Sequence, residues 1–339
     1  MIRIIVILVI TAIGLAFKTS EPLFTYPKNW PKPIYNFKNN TLTKEKVELG
    51  KILFYDTRLS KNNTISCASC HSQYSAFTHI DHALSHGIYD SIGNRNSPAL
   101  MNLAWQPLFM WDGAINNIEV QSLAPISHPK EMASSINEVI IKLNKSKLYK
   151  QLFYKAYRDS VATSERTLKS LAQFMLTLVS SNSKYDRVVK QLDKFTEQEK
   201  NGYELFKKYC NSCHTEPLFS NYQFANNGLP VDKTLIDVGR FSITKNENDS
   251  FKFKIPTLRN VEFTYPYMHD GRFKKLSEVV NHYAKGIFPY SNLSKELKEP
   301  INLTSNEKVD LIAFLLTLSD KEFVFNKKYS VPINYFQSN

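Results

Sequence analysis

The sequence predicts a mainly α protein made of two related helical domains, and three repeated features carry that prediction. The stretch LAQFMLTL at 171–178 returns as LIAFLLTL at 311–318, with five of eight positions identical at an offset of 140 residues. Upstream, Gly50-Lys51-Ile52-Leu53-Phe54 resembles Gly202-Tyr203-Glu204-Leu205-Phe206 at an offset of 152. Between these landmarks, Cys67-Ala68-Ser69-Cys70-His71 matches Cys210-Asn211-Ser212-Cys213-His214 at an offset of 143. The same features in the same order indicate an internal duplication with insertions of a few residues, not a short-period solenoid. Strand signals are sparse.

Taken in order, the chain opens Met1-Ile2-Arg3 and then runs without charge from 4 to 17. One basic residue before a short apolar run fits a secretory signal over 1–22. Lys18 ends the run short of the roughly 20 residues that a membrane span needs. No clean small-residue cleavage site follows, so an uncleaved N-terminal anchor is the alternative; either way the folded part is expected to be exported. The first domain is expected over 23–190 and the second over 191–339. Thr43 and Thr196 each precede an acidic first turn and read as helix N-caps. Leu168, Leu171, Ala172, Met175 and Leu178 fall on one helical face, and Val309, Ile312, Leu315 and Leu316 are their expected counterparts in the second unit. All are read as core. The connections 87–107 and 226–266 exceed ordinary loop length, which marks function or ligand wrapping.

Composition excludes several classes. Hydrophobic residues make up 42% and aromatics 13%, enough for a packed core and too much for a disordered or fibrous chain. Lys and Arg exceed Asp and Glu by 43 to 31, a formal charge of +12. That excess could steer an acidic partner or an anionic surface, but it is spread along the chain and serves solubility equally well. With no recognised motif and no basic cluster, nothing points to nucleic acid. Four cysteines are too few for a disulfide scaffold.

Those four cysteines instead form two CxxCH motifs, the signature of covalent haem attachment: two thiols bond the porphyrin and the adjacent histidine ligates iron. A zinc site would need two CxxC pairs close together, and here 143 residues separate them. A thioredoxin-like redox pair would sit in a βαβ unit, and none surrounds either motif. Each domain is therefore expected to be cytochrome c-like, with one haem c held by Cys67, Cys70 and His71 and another by Cys210, Cys213 and His214. Whether such an iron only carries electrons or also binds peroxide depends on its sixth ligand.

Further motifs surround these sites. They are Asn96-Ser97-Pro98, Trp111-Asp112-Gly113, Pro125-Ile126 with Glu131-Met132, Pro256-Thr257-Leu258-Arg259-Asn260, and Thr264-Tyr265-Pro266-Tyr267-Met268-His269-Asp270-Gly271. In this order they resemble the bacterial dihaem cytochrome c peroxidase family, including its MauG-type branch, from about Leu42 to Ser319. The resemblance implies a peroxidatic haem on His71 and an electron-entry haem on His214. It implies that Trp111 relays electrons between them and that Gln121 and Glu131 form the distal pair over the peroxidatic iron. It also implies a calcium ion at the domain interface, held through Asn96 and the backbone carbonyls of Thr264 and Pro266. Glu131 beside an amide donor suits proton transfer between the two oxygens of peroxide. Read singly, Glu131 is a surface carboxylate and Trp111 a core aromatic.

Two departures from the family pattern matter. Well-known members carry a methionine ligand 14 residues after the histidine of the PYxHDG motif; that position here is Tyr283, as in the MauG branch. Met268 and His282 are nearby rivals. Many members also carry, in the loop after the first CxxCH, a histidine that blocks the peroxidatic iron until the other haem is reduced. The comparable stretch here, Ser91-Ile92-Gly93-Asn94-Arg95, has none, and His79, His82 and His86 upstream read as polar surface residues. An open iron, active without reductive priming, is expected.

The leading functional reading is a periplasmic peroxidase that reduces hydrogen peroxide with electrons from a small c-type cytochrome. The alternatives are a MauG-like enzyme oxidising side chains of a partner protein, and a dihaem electron carrier. Oligomeric state is not readable from the residues, although family members are often homodimers.

Overall fold

The structure is a computed structural model that describes residues 22–336; the expected leader over 1–22 lies almost wholly outside the described residues. The chain is mainly helical. Thr43 starts the Lys44–Tyr55 helix, its Oγ accepting from Lys46 N–H at 3.3 Å. That helix buries Leu49, Gly50, Ile52, Leu53 and Phe54 against the Ser164–Leu176 helix. In the second half Thr196 and Glu199 form a capping box at the head of the Glu197–Tyr209 helix, which packs on Ser305–Leu316. The capping groups satisfy amides that a helix start leaves without partners.

Glycine sets both helix crossings. A Cβ added at Gly50 would lie 1.9 Å from Ser170 O, and one added at Gly202 would lie 1.9 Å from Asp310 O. Both pairs therefore approach backbone to backbone, closer than any side chain permits. Other details recur at equivalent positions. Thr177 Oγ donates to Phe174 O (2.7 Å) and Thr317 Oγ to Phe314 O (2.6 Å). Asn102 N–H donates to Leu178 O, and Asn260 N–H to Leu318 O. The turns that follow meet each other: Ser180 Oγ, Ser181 N–H and Asn182 N–H all donate to one oxygen of Asp320.

The second late helix corrects one expectation. Val309 and Leu316 are exposed, at 55% and 42%, while Leu311, Phe314, Leu315 and Leu318 are buried. The face turned to Gly202 and Phe206 fixes that register, and it is the face occupied by Leu171, Phe174, Met175 and Leu178 in the first unit. Two apolar cores result. One gathers Leu53, Phe54, Phe77, Phe153 and Phe174; the other gathers Tyr185, Phe206, Phe219 and Phe314.

The chain crosses the expected 190/191 partition in both directions. Tyr185 packs in the second core, whereas Phe323, Val324 and Tyr329 near the end of the chain pack in the first. Tyr55 OH donates to Tyr329 O (2.8 Å) and Tyr335 OH to Glu48 (2.6 Å), tying that returning segment to the first helix.

Among the described residues the strand content is one pair of two-residue strands, Phe224–Ala225 antiparallel to Phe253–Lys254, in register Phe224 with Lys254. It lies within the long 226–266 region and its flank. Among the described residues no helix is long and apolar enough to cross a membrane.

Candidate haem sites

The two CxxCH motifs take up closely similar local structures. His71 N–H donates to Cys67 O and His214 N–H to Cys210 O, both at 2.9 Å, so each histidine closes a helical turn over its cysteines. The Nδ1–H of His71 donates to Phe77 O (2.9 Å); that of His214 lies between Phe219 O (3.2 Å) and Pro256 O (3.1 Å). Phe77 and Phe219 both hold left-handed backbone, φ 61° and 54°, and it is this turn that aims their carbonyls at the ring. Binding Nδ1–H to a carbonyl fixes the tautomer and leaves the Nε2 lone pair free for a metal. Burial pushes both imidazoles down to about 4, so both are neutral at physiological pH. None of the four sulfurs is in a disulfide. Burial, followed by the neighbouring thiol of each pair, pushes Cys67 and Cys210 up to about 12. Little thiolate is present at neutral pH, which argues against nucleophilic catalysis at either pair.

A mostly apolar cavity opens beside Cys210, Cys213 and His214. It offers about 260 Å³ to the centres of water molecules, against roughly 10–15 Å³ needed for one. Two thiols, a neutral imidazole with a free Nε2 and apolar walls fit a covalently held porphyrin. Residues from the first half also reach this cavity, among them Thr78, Asn96 and Trp111.

Tyr283 and Met268 both line the cavity. Tyr283 sits in a π-helical turn, His282–Gly286, after the Leu276–Asn281 helix. Such turns insert a residue and are common where a side chain must be re-aimed. Asn227 Nδ2–H reaches both rivals, at 3.4 Å from Tyr283 OH and 3.5 Å from Met268 Sδ. His282 is only 4% exposed and its Nε2 is bonded to Asn227 O at 3.0 Å, which leaves that nitrogen spoken for. Burial pushes the Tyr283 phenol up to about 12, with Asn227 opposing.

Trp111 is held at its ring and its backbone. Nε1–H donates to Asn96 O (2.8 Å), and Trp111 O accepts from Lys254 N–H (2.7 Å). The adjacent Asp112 accepts from Arg95 at 2.6 Å, and Arg95 also forks onto Asp237. Thr264 and Pro266 join Asn96 on the wall of the same cavity. Asn96 Nδ2–H is committed to Ala83 O, which leaves its Oδ1 as the acceptor. Among the described residues no group of three or more His, Cys, Asp or Glu could hold a metal ion, so calcium here would rest on amide and carbonyl oxygens.

On the first motif's side, Glu131 is half-buried and its charge helps raise the Cys70 thiol. Burial raises the Glu131 carboxyl, with His128 at 3.6 Å opposing. Gln121 ends the Ile118–Gln121 helix, and its amide reaches Met110 Sδ at 3.6 Å. The segment around Gly87 presses on Glu131: Ile88 N–H donates to Glu131 O (2.7 Å), and a Cβ at Gly87 would come within 2.5 Å of Glu131 Cα.

The loop histidines depart from expectation. His82 is exposed, but His79 and His86 are partly buried and the three rings meet in series, edge-on at 5.3 Å and tilted at 3.9 Å between centroids. Cys70 Sγ donates to His86 O (3.4 Å), so this cluster lies against the first haem motif. Three histidines within eight residues of the motif's own loop were the available signal. Lys254, a buried lysine on the cavity wall, was also missed, since a lysine ordinarily reads as an exposed charge.

Comparison with known proteins finds similarity over most of the chain. A family model described as di-haem cytochrome c peroxidase matches residues 44–194. Methylamine utilization protein MauG of Methylorubrum extorquens is 35% identical, over 87% of this chain and 83% of its own length. Cytochrome c551 peroxidase of Nitrosomonas europaea is 34% identical, over 85% and 84% respectively. A solved MauG-like protein associated with microbial copper homeostasis superposes with a TM-score of 0.81 at 30% identity, covering 91% of this chain and 98% of that one.

Proposed function

Because the chain belongs to the di-haem cytochrome c peroxidase family, a family of peroxidase oxidoreductases, we propose that it reduces hydrogen peroxide with electrons from a small c-type cytochrome. The observation that carries this reading is the half-buried Glu131 beside Cys70, with the neutral His71 next to it in the same motif. The haem groups, when bound, supply the iron that takes peroxide and passes electrons. Reduction of one peroxide consumes two electrons and two protons and yields two waters. Glu131, as carboxylate, accepts the proton from one oxygen and returns it to the other, and Gln121 orients the substrate with its amide. Trp111 bridges the halves as an electron relay. Its Nε1–H is tied to a carbonyl, which takes no proton, so the indole passes electrons without losing its hydrogen.

His71 and His214 would each give Nε2 to iron, and Tyr283 would complete the His214 side. A phenol that burial keeps protonated up to about 12 becomes a phenolate at neutral pH only with a cation in bonding distance. Tyr283→Phe is therefore expected to change the absorption spectrum of the haem on His214; an unchanged spectrum would hand the position to Met268. Asn96, Thr264 and Pro266 would hold a calcium ion through oxygens alone. Export to the periplasm is part of this reading, on the leader-like pattern over 1–22. The partition into 23–190 and 191–339 is proposed as the division between the two haem-bearing units, with the returning end of the chain clasping the first.

A second reading, oxidation of side chains on a partner protein, is favoured by Tyr283 on the cavity wall and by the 35% identity to MauG. Replacing His71 by Gly tests the assignment of the two centres. Peroxide turnover should vanish while the His214-side spectrum stays intact; undiminished turnover would reverse the assignment.

A further inference from the structure

Lys254 is 8% exposed and lines the cavity beside Cys210, Cys213 and His214. Its Nζ donates to Gln106 Oε1 and to Leu108 O, both at 3.0 Å, which leaves one of three N–H groups without a protein acceptor. Both acceptors are neutral. Asp112 acts on the lysine only through space, and its carboxylate is already engaged by Arg95 at 2.6 Å. Burial lowers the affinity of Lys254 for its proton to about 8, with Asp112 partly opposing. A buried ammonium with no anion beside it is costly, and chains retain one where an anion arrives with a ligand. A porphyrin attached to Cys210 and Cys213 carries two carboxylates into this same cavity.

We propose that Lys254 binds a propionate carboxylate of the haem held by Cys210 and Cys213, and that its charge raises the reduction potential of that haem. The proposal rests on the haem reading of Cys210, Cys213 and His214. The direction follows from electrostatics: a positive charge close to the iron favours the reduced, less positive state. Lys254 N–H also holds Trp111 O, so the same residue positions the relay and tunes one of the centres it serves.

The test uses the haem-loaded full chain in four forms: unsubstituted, Lys254→Met, Lys254→Gln and Lys254→Arg. Haem retained after denaturation is counted first; fewer than two per unsubstituted chain would sink the haem reading itself. Spectroscopic redox titration then follows each haem. In Lys254→Met the haem held by Cys210 and Cys213 should become at least tenfold harder to reduce, a downward shift of about 59 mV or more for one electron. Lys254→Arg should stay near the unsubstituted value. Lys254→Gln keeps an N–H for Leu108 O, so it reads the charge even where Met disturbs folding. Neutral variants that carry both haems and titrate like the unsubstituted chain would overturn the proposal and leave Lys254 a structural tie between the short strand pair and the 106–108 loop.

Discussion

Glu131→Gln is expected to slow peroxide cleavage by about 100-fold or more while leaving peroxide binding nearly unchanged. The glutamine keeps the size and hydrogen-bonding reach of the side chain but cannot accept a proton, and positioned acid–base groups contribute roughly 10²–10⁴ in rate. The pH profile separates this role from a merely structural one. Burial lifts the Glu131 carboxyl above its ordinary range, and the partly exposed His128 only offsets that. A carboxylate that must be ionised to act loses activity as pH falls through its own raised value. The unsubstituted enzyme should therefore show an acid limb above the usual carboxylate range, and that limb should be missing from Glu131→Gln. Stopped-flow rates of peroxide consumption at a series of pH values measure both effects. Full activity in the variant would remove Glu131 from the mechanism.

Arg259→Met is expected to destabilise the protein by about 3–5 kcal/mol, because it strands a buried carboxylate. Arg259 is fully buried and forks onto Asp186 with two 2.8 Å bonds. Two further donors, on Nε and Nη2, close on Pro217 O, and its plane lies over Trp30 at 4.5 Å. Burial alone would raise the Asp186 carboxyl, but the Arg259 fork and Ser183 outweigh it and hold that group below its usual range. A depressed carboxylate stabilises the fold above its unfolded value, near 3.9, and loses that contribution as pH drops through the folded value. The double variant Arg259→Met with Asp186→Leu should recover much of the loss, since a buried pair replaced by apolar groups is often neutral. Thermal unfolding of the three chains decides it. The consequence reaches the site, because Arg259 belongs to the same segment as Pro256, whose carbonyl lies against His214.

Much of this was legible in the residues because covalent haem attachment demands fixed spacing. The CxxCH pairs, the duplicated helices around Gly50 and Gly202 and the Trp111 motif are local patterns, and a linear reading captures them. The register of the second late helix was less legible. Val309 and Leu316 are apolar at helical spacing, yet only packing against Gly202 decides which face turns inward. His86 and Lys254 were missed for a different reason. One sits in a loop whose path depends on Gly87 meeting Glu131 some forty residues later in sequence. The other looks like a surface charge until the strand pair carries it to the cavity wall. The contest between Tyr283, Met268 and His282 also needed three dimensions, since Asn227 contacts all three but leaves only the first two on the cavity.

The most direct measurement is hydrogen peroxide-dependent oxidation of a reduced small c-type cytochrome by the haem-loaded protein in its oxidised state. Multiple turnovers without prior reduction are predicted, with two cytochromes oxidised per peroxide. Turnover only after reduction would place an imidazole of the His79–His86 loop on the first iron. No cytochrome oxidation in either state would contradict the peroxidase function and leave oxidation of a partner protein, or electron carriage alone, in its place.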